Sequence, residues 1–150
     1  MKGNKVRVVL DTNVVLAYTW TKSEDSPNKE IIRRWEKSQF DVLWSRDVIN
    51  EYINKMKFFG VSEDHIVKII SHFIQLGKAV EIEFYHYEVY PEDAKDICFV
   101  LCALNGCGSH IITYDPHLLD LAKGYRQKFS VSILKPVPFL RELRGLLKET

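Results

Sequence analysis

Residues 6–10, Val-Arg-Val-Val-Leu, form an almost uninterrupted β-branched run, and Asp11 ends it. Such a run reads as a strand buried on both faces of a parallel sheet, which puts Asp11 at the strand's carboxyl end. Open α/β sheets bind their ligands at that edge. Taken alone, an Asp followed by Thr12, Asn13 and a second apolar run is a helix N-cap. A chemical role requires other carboxylates at the same edge.

The rest of the chain alternates helical and strand patterns. Residues 13–20 read as a first helix and 21–25 as a polar loop; Ser26-Pro27 then starts a helix running to about residue 39. Residues 40–44 read as a second strand. Ser45 caps a helix ending near Gly60, with Val48, Ile49, Tyr52, Ile53 and Met56 as its apolar stripe. Ser62 begins another, with Gly77 as its C′ residue. Residues 79–84 are expected to be a third strand, 85–90 a loop and 91–104 a helix. A fourth strand over 110–113, a short helix over 118–123, a fifth strand over 131–134 and a closing helix over 138–148 complete the pattern. The alternation predicts an α/β fold: a three-layer α/β/α sandwich around a parallel sheet of about five strands, with residues 1–150 as one domain.

Composition narrows the function classes. At 46% hydrophobic and 27% charged, 150 residues suit one core of ordinary size. No apolar run approaches the ~20 residues that span a bilayer, and the chain enters its first strand without a signal-peptide pattern, so a cytoplasmic protein is expected. Three cysteines, Cys98, Cys102 and Cys107, do not make a disulfide framework. Their spacing with His110 lacks a tight Cys-x2-Cys knuckle, and buried thiols explain them without zinc. His65, His72 and His86 are scattered, as surface or rim residues would be. The net charge of +1 does not by itself announce a nucleic-acid binder.

Four acids stand out by position. Asp11 follows the first strand, Glu51 lies on the helix after the second, Asp96 early in the helix after the third, and Asp115 after the fourth. Helices that follow parallel strands begin at the carboxyl edge, so all four can converge there. Crowded carboxylates repel one another, and a divalent cation removes that penalty. Oxygen-only ligation favours Mg²⁺ or Mn²⁺ over zinc. Asp93 stands beside Asp96 as an additional acid.

With these residues the chain resembles the PIN-domain nuclease family, the fold of VapC-type toxins and of several RNA-processing nucleases. The resemblance is carried by residues 8–13 (Val-Val-Leu-Asp-Thr-Asn), by Ser45 with Glu51-Tyr52, by Asp93-x-x-Asp96-x-x-Phe99 with Ala103, and by residues 111–115 (Ile-Ile-Thr-Tyr-Asp). It implies that Asp11, Glu51, Asp96 and Asp115 are the metal-binding and catalytic acids, with Asn13 and Thr113 ordering the site. It also implies a Mg²⁺- or Mn²⁺-dependent endoribonuclease that hydrolyses phosphodiester bonds, a toxin held in check by an antitoxin protein, and a homodimer. Lys22, Arg46, Tyr114 and His117 flank the acids as substrate contacts, and Trp20 offers a surface for an unpaired base.

Other readings stay open from the sequence. An RNA-processing nuclease outside a toxin system would look much the same. A non-catalytic module could keep the fold and bind RNA or protein. A haloacid-dehalogenase-type phosphatase also places an Asp after its first strand, but Asn13 stands where that chemistry needs a second Asp.

Overall fold

The computed structural model describes residues 5–85, 90–91 and 93–149. His86 and most of the expected 85–90 loop lie outside them. Among the described residues the chain forms five strands and eight α-helices, in the order β1 (Arg7–Leu10), α1 (Thr12–Trp20), α2 (Pro27–Glu36), β2 (Asp41–Trp44), α3 (Arg46–Phe58), α4 (Glu63–Leu76), β3 (Lys78–Ala79), α5 (Ile97–Asn105), β4 (His110–Ile112), α6 (Pro116–Leu119), α7 (Ala122–Phe129), β5 (Ser132–Leu134) and α8 (Pro136–Leu146). Every strand pair is parallel and the sheet order is β3-β2-β1-β4-β5. The predicted five-stranded parallel α/β sheet is therefore present, with β1 at its centre.

The order explains why β1 reads as it does. Val8 pairs with Val42 on one side and His110 on the other, and Val9 with Ile111. Successive side chains point to opposite faces, yet Val8, Val9 and Leu10 are all fully buried, so helices cover both faces. The chain passes from β1 to β2 on one side, while β4 lies on the other. The crevice beyond the carboxyl ends of β1 and β4 is thus the topological switch point.

The helix starts follow their caps. Ser26, Ser45 and Ser62 accept backbone N–H bonds from Asn28, Val48 and His65, opening α2, α3 and α4 where the sequence places them. Other elements differ from expectation. β3 stops at Ala79, because after Val80 N–H donates to Trp44 O the chain leaves the sheet edge, and the glutamates at 81 and 83 fall outside it. The helix expected over 91–104 begins as α-helix only at Ile97, since Asp93 Oδ1 accepts from Lys95 N–H and opens a 3₁₀ turn, Ala94–Asp96, ahead of it. The short helix over 118–123 is two helices, α6 and α7, and the closing helix starts at Pro136, using proline at its first position. Gly77 is not left-handed, as its φ is −77°. Its role is close packing: a Cβ there would lie 2.5 Å from Phe73 O and 2.6 Å from Trp44 Cδ1.

Candidate active site

Asp11 both caps α1 and faces the switch-point crevice. Its Oδ1 accepts from Thr12 N–H at 2.7 Å and its Oδ2 from the Thr113 hydroxyl at 2.6 Å. The same Thr113 oxygen accepts from Asp115 N–H at 2.9 Å, so one buried side chain joins the ends of β1 and β4 to the loop that carries the last acid. Asn13 Oδ1 accepts from Tyr114 N–H at 3.3 Å and ties α1 to that loop. The Tyr52 hydroxyl donates to Leu10 O, which fixes the second turn of α3, and with it the adjacent Glu51, against the end of β1.

A cleft of about 300 Å³ opens here. Asp11, Glu51, Asp93, Asp96 and Asp115 line it, together with Thr12, Asn13, Leu16, Lys55, Phe59, Lys95 and Phe99. All four predicted acids therefore share one cleft. Asp93 lines it too, but is exposed and spends one oxygen on its turn; Asp96 is buried at the end of that turn, above Phe99.

Burial dominates the electrostatics. It pushes the Asp11 carboxyl up to about 6, against the lowering effect of the Thr113 and Thr12 hydrogen bonds, with Asp115 and Glu51 adding repulsion. It pushes Asp96 higher, to about 8, helped by the neighbouring Asp115 carboxylate and by the charges of Asp11 and Asp93. Asp96 Oδ2 is buried and meets no hydrogen-bond donor. Near another carboxylate, such an oxygen is satisfied by a shared proton or by a cation.

These observations fit a hard divalent cation. The donors are carboxylate oxygens, and the unpartnered Asp96 Oδ2 is among them. Among the described residues, no three His, Cys, Asp or Glu side chains are already grouped to hold one ion. The fit thus rests on donor chemistry and on that unpartnered oxygen rather than on a preformed shell.

A family model of the PIN domain matches residues 7–117. The chain belongs to the PIN-domain family. PIN domains are nucleases, and the match includes all five acids that line this PIN domain's cleft. Its fold is similar to that of a chain in the crystal structure of VapBC2 from Rickettsia felis bound to a DNA fragment from their promoter, with a TM-score of 0.56 at 9% identity over 85% of this chain and 97% of that one. At that identity the likeness is one of fold. A search of curated proteins finds no match.

Not every predicted residue reaches the PIN-domain cleft. Lys22, Arg46, Tyr114 and His117 are exposed and stand outside its lining. The Tyr114 hydroxyl donates to Asn28 Oδ1 instead, and His117 N–H donates to Asp115 Oδ1. The cations that do line the cleft, Lys55 and Lys95, were not singled out by sequence. Glu51, Lys55 and Phe59 are spaced by four, one stripe of a helix, and that spacing was the available signal. His110, set against the cysteines in sequence, engages Ser109 Oγ and Glu142 Oε1 with its two ring nitrogens. Cys102 is buried in α5 and Cys107 exposed. Among the described residues no helix is long and apolar enough to cross a membrane.

Proposed function

We propose that this PIN domain is a Mg²⁺- or Mn²⁺-dependent endoribonuclease, with Asp11, Glu51, Asp96 and Asp115 as the acids that would hold the ion. The observation that carries this reading is the sharing of one switch-point cleft by these four acids, one of which has a buried oxygen without a donor. When bound, a divalent cation lowers the pKa of water and offsets negative charge on a phosphoryl group in hydrolysis of a phosphodiester.

The chain's own residues prepare the site. Thr113 and the Thr12 N–H hold the Asp11 carboxylate in one orientation, and Thr113 also anchors the backbone of Asp115. Asn13 orders the loop between them. Burial and its acidic neighbours favour a proton on Asp96, which must leave before its carboxylate can face a cation. Lys55 and Lys95 place positive charge in the same cleft, which suits a polyanionic backbone.

The likeness in fold to a chain of the VapBC2 complex supports a second part of the proposal, that the protein is the toxin of a toxin–antitoxin pair with a protein antitoxin as partner. The enzymatic part is tested by incubating purified protein with RNA. Cleavage with Mg²⁺ or Mn²⁺, lost in chelator and lost in Asp11→Asn, is the expected result. Cleavage unchanged in Asp11→Asn overturns it.

A further inference from the structure

Two helical stripes run from the acids to one exposed aromatic cluster. On α1, Thr12 and Leu16 line the acid cleft and Trp20 stands one turn further on; Glu51 and Lys55 of α3, with Phe59 at its C-cap, line the same cleft. The rise of a helix makes each stripe about 12 Å long. The stripes meet at their far ends, where the Trp20 and Phe59 rings pack edge to face at 5.5 Å, and Phe58 packs edge to face on Phe59 at 5.0 Å. These rings are far from buried: Trp20 is 50% exposed, Phe59 51% and Phe58 79%.

A second recess, of about 310 Å³, adjoins the acid cleft and shares Glu51, Lys55 and Lys95 with it, while Phe58 and Asn54 form its other side. Neither Lys55 nor Lys95 makes an ion pair among the described residues. Lysines on the wall common to both spaces, with exposed aromatic rings just beyond, are the pairing used to hold single-stranded nucleic acid: cations track the phosphates and rings stack on the bases. A protein partner covering the rings has no need of free lysines facing the acids. A duplex keeps its base faces within its own stack and cannot offer them.

We propose that Phe58, Phe59 and Trp20, with Lys55 and Lys95, form a base-stacking subsite for an unpaired nucleotide next to the phosphate held at the acids. This rests on the nuclease reading above and assigns the side of the cleft along which the strand leaves.

The test is binding without cleavage. A short single-stranded RNA carrying 2-aminopurine is titrated with the full chain in chelator, alongside the same sequence as a duplex. The expected result is quenching of the 2-aminopurine emission in the single strand and binding about tenfold or more weaker for the duplex. Phe58→Ala and Trp20→Ala lower the single-strand affinity about tenfold each and reduce the quenching. Lys55→Gln weakens binding and lowers the salt slope by about one counterion, yet retains the quenching. Unchanged quenching and affinity in both aromatic variants overturn the subsite, as does equal binding of the duplex. If those variants instead convert a dimer into a monomer in sedimentation while RNA binding persists, the face belongs to a second copy of the chain and the subsite is overturned. Such failures leave the nuclease reading intact. That reading falls separately, if RNA bound with full quenching is never cut when Mg²⁺ or Mn²⁺ is supplied.

Discussion

The Thr113 hydroxyl donates to Asp11 Oδ2 at 2.6 Å across 102 residues of sequence, joining the ends of the two strands that flank the topological switch point. Both groups are buried. The bond lowers the Asp11 pKa against the larger effect of burial, so it keeps the carboxylate ionised as well as oriented. Thr113→Val removes the donor and leaves the acid more readily protonated. RNA cleavage at neutral pH is expected to fall about 10- to 100-fold, as for other partners of metal-ligating groups. Thr113→Ser restores the hydroxyl and should recover most of the activity; equal loss in both variants would show that the methyl, not the hydroxyl, matters.

Tyr52 makes a separable contribution. Its hydroxyl is the donor to Leu10 O from the fully buried core, next to Glu51. Tyr52→Phe keeps the packing against Phe73 and Phe99 but strands the carbonyl. A loss of about 1–3 kcal/mol is expected, readable as a drop of several degrees in Tm. A melting temperature equal to wild type would show that the carbonyl finds another donor.

Stability should depend on pH through Asp96. Burial and Asp115 raise its pKa to about 8, so the folded chain holds a proton that the unfolded chain has already released. Stability therefore falls as pH rises towards that value. Asp11, raised to about 6, has made most of its contribution by pH 6.5. Buried His110 has the opposite sign, because burial lowers its pKa, and its effect is largely complete above the ordinary histidine range. Between pH 6.5 and pH 8 in chelator, thermal melts should show a loss of about 1–2 kcal/mol, and Asp96→Asn should remove it. Added Mn²⁺ should raise Tm more at pH 8 than at pH 6.5, since the proton competes with the ion. Parallel melts for wild type and Asp96→Asn would contradict this.

Gly77 is tested by packing alone. Its backbone would accept any residue, but Gly77→Ala drives a methyl against Phe73 O and the Trp44 ring. A cost of about 1–3 kcal/mol is expected in chemical denaturation, with RNA cleavage of the folded fraction preserved because Gly77 lies outside the acid cleft.

Features that were legible in the sequence are those decided locally. Residues 6–10 are buried on both faces, so they had to be apolar throughout, and Ser26, Ser45 and Ser62 announce helices through their own side chains. The four acids were placed together by the rule that helices after parallel strands start at one edge. What escaped depends on contacts between distant parts of the chain. β3 is short because the edge of the sheet ends at Trp44, which its own residues do not encode. The start of α5 is displaced by the bond that Lys95 N–H donates to Asp93 Oδ1, and proximity in sequence to the acids pointed to Arg46 and His117 as substrate contacts, whereas the cations lining the cleft are Lys55 and Lys95. On α3 the apolar stripe and Glu51 were legible, but not Lys55 and Phe59, which continue the face of Glu51 into the cleft.

Single-turnover cleavage measured across a Mn²⁺ titration reads out whether the buried Asp96 carboxylate takes part in cation-dependent RNA hydrolysis. Wild type should reach a saturating rate, while Asp96→Asn should need far more Mn²⁺ and remain at least about 100-fold slower. Matching rates for the two proteins at every Mn²⁺ concentration would contradict a role for Asp96 in the reaction.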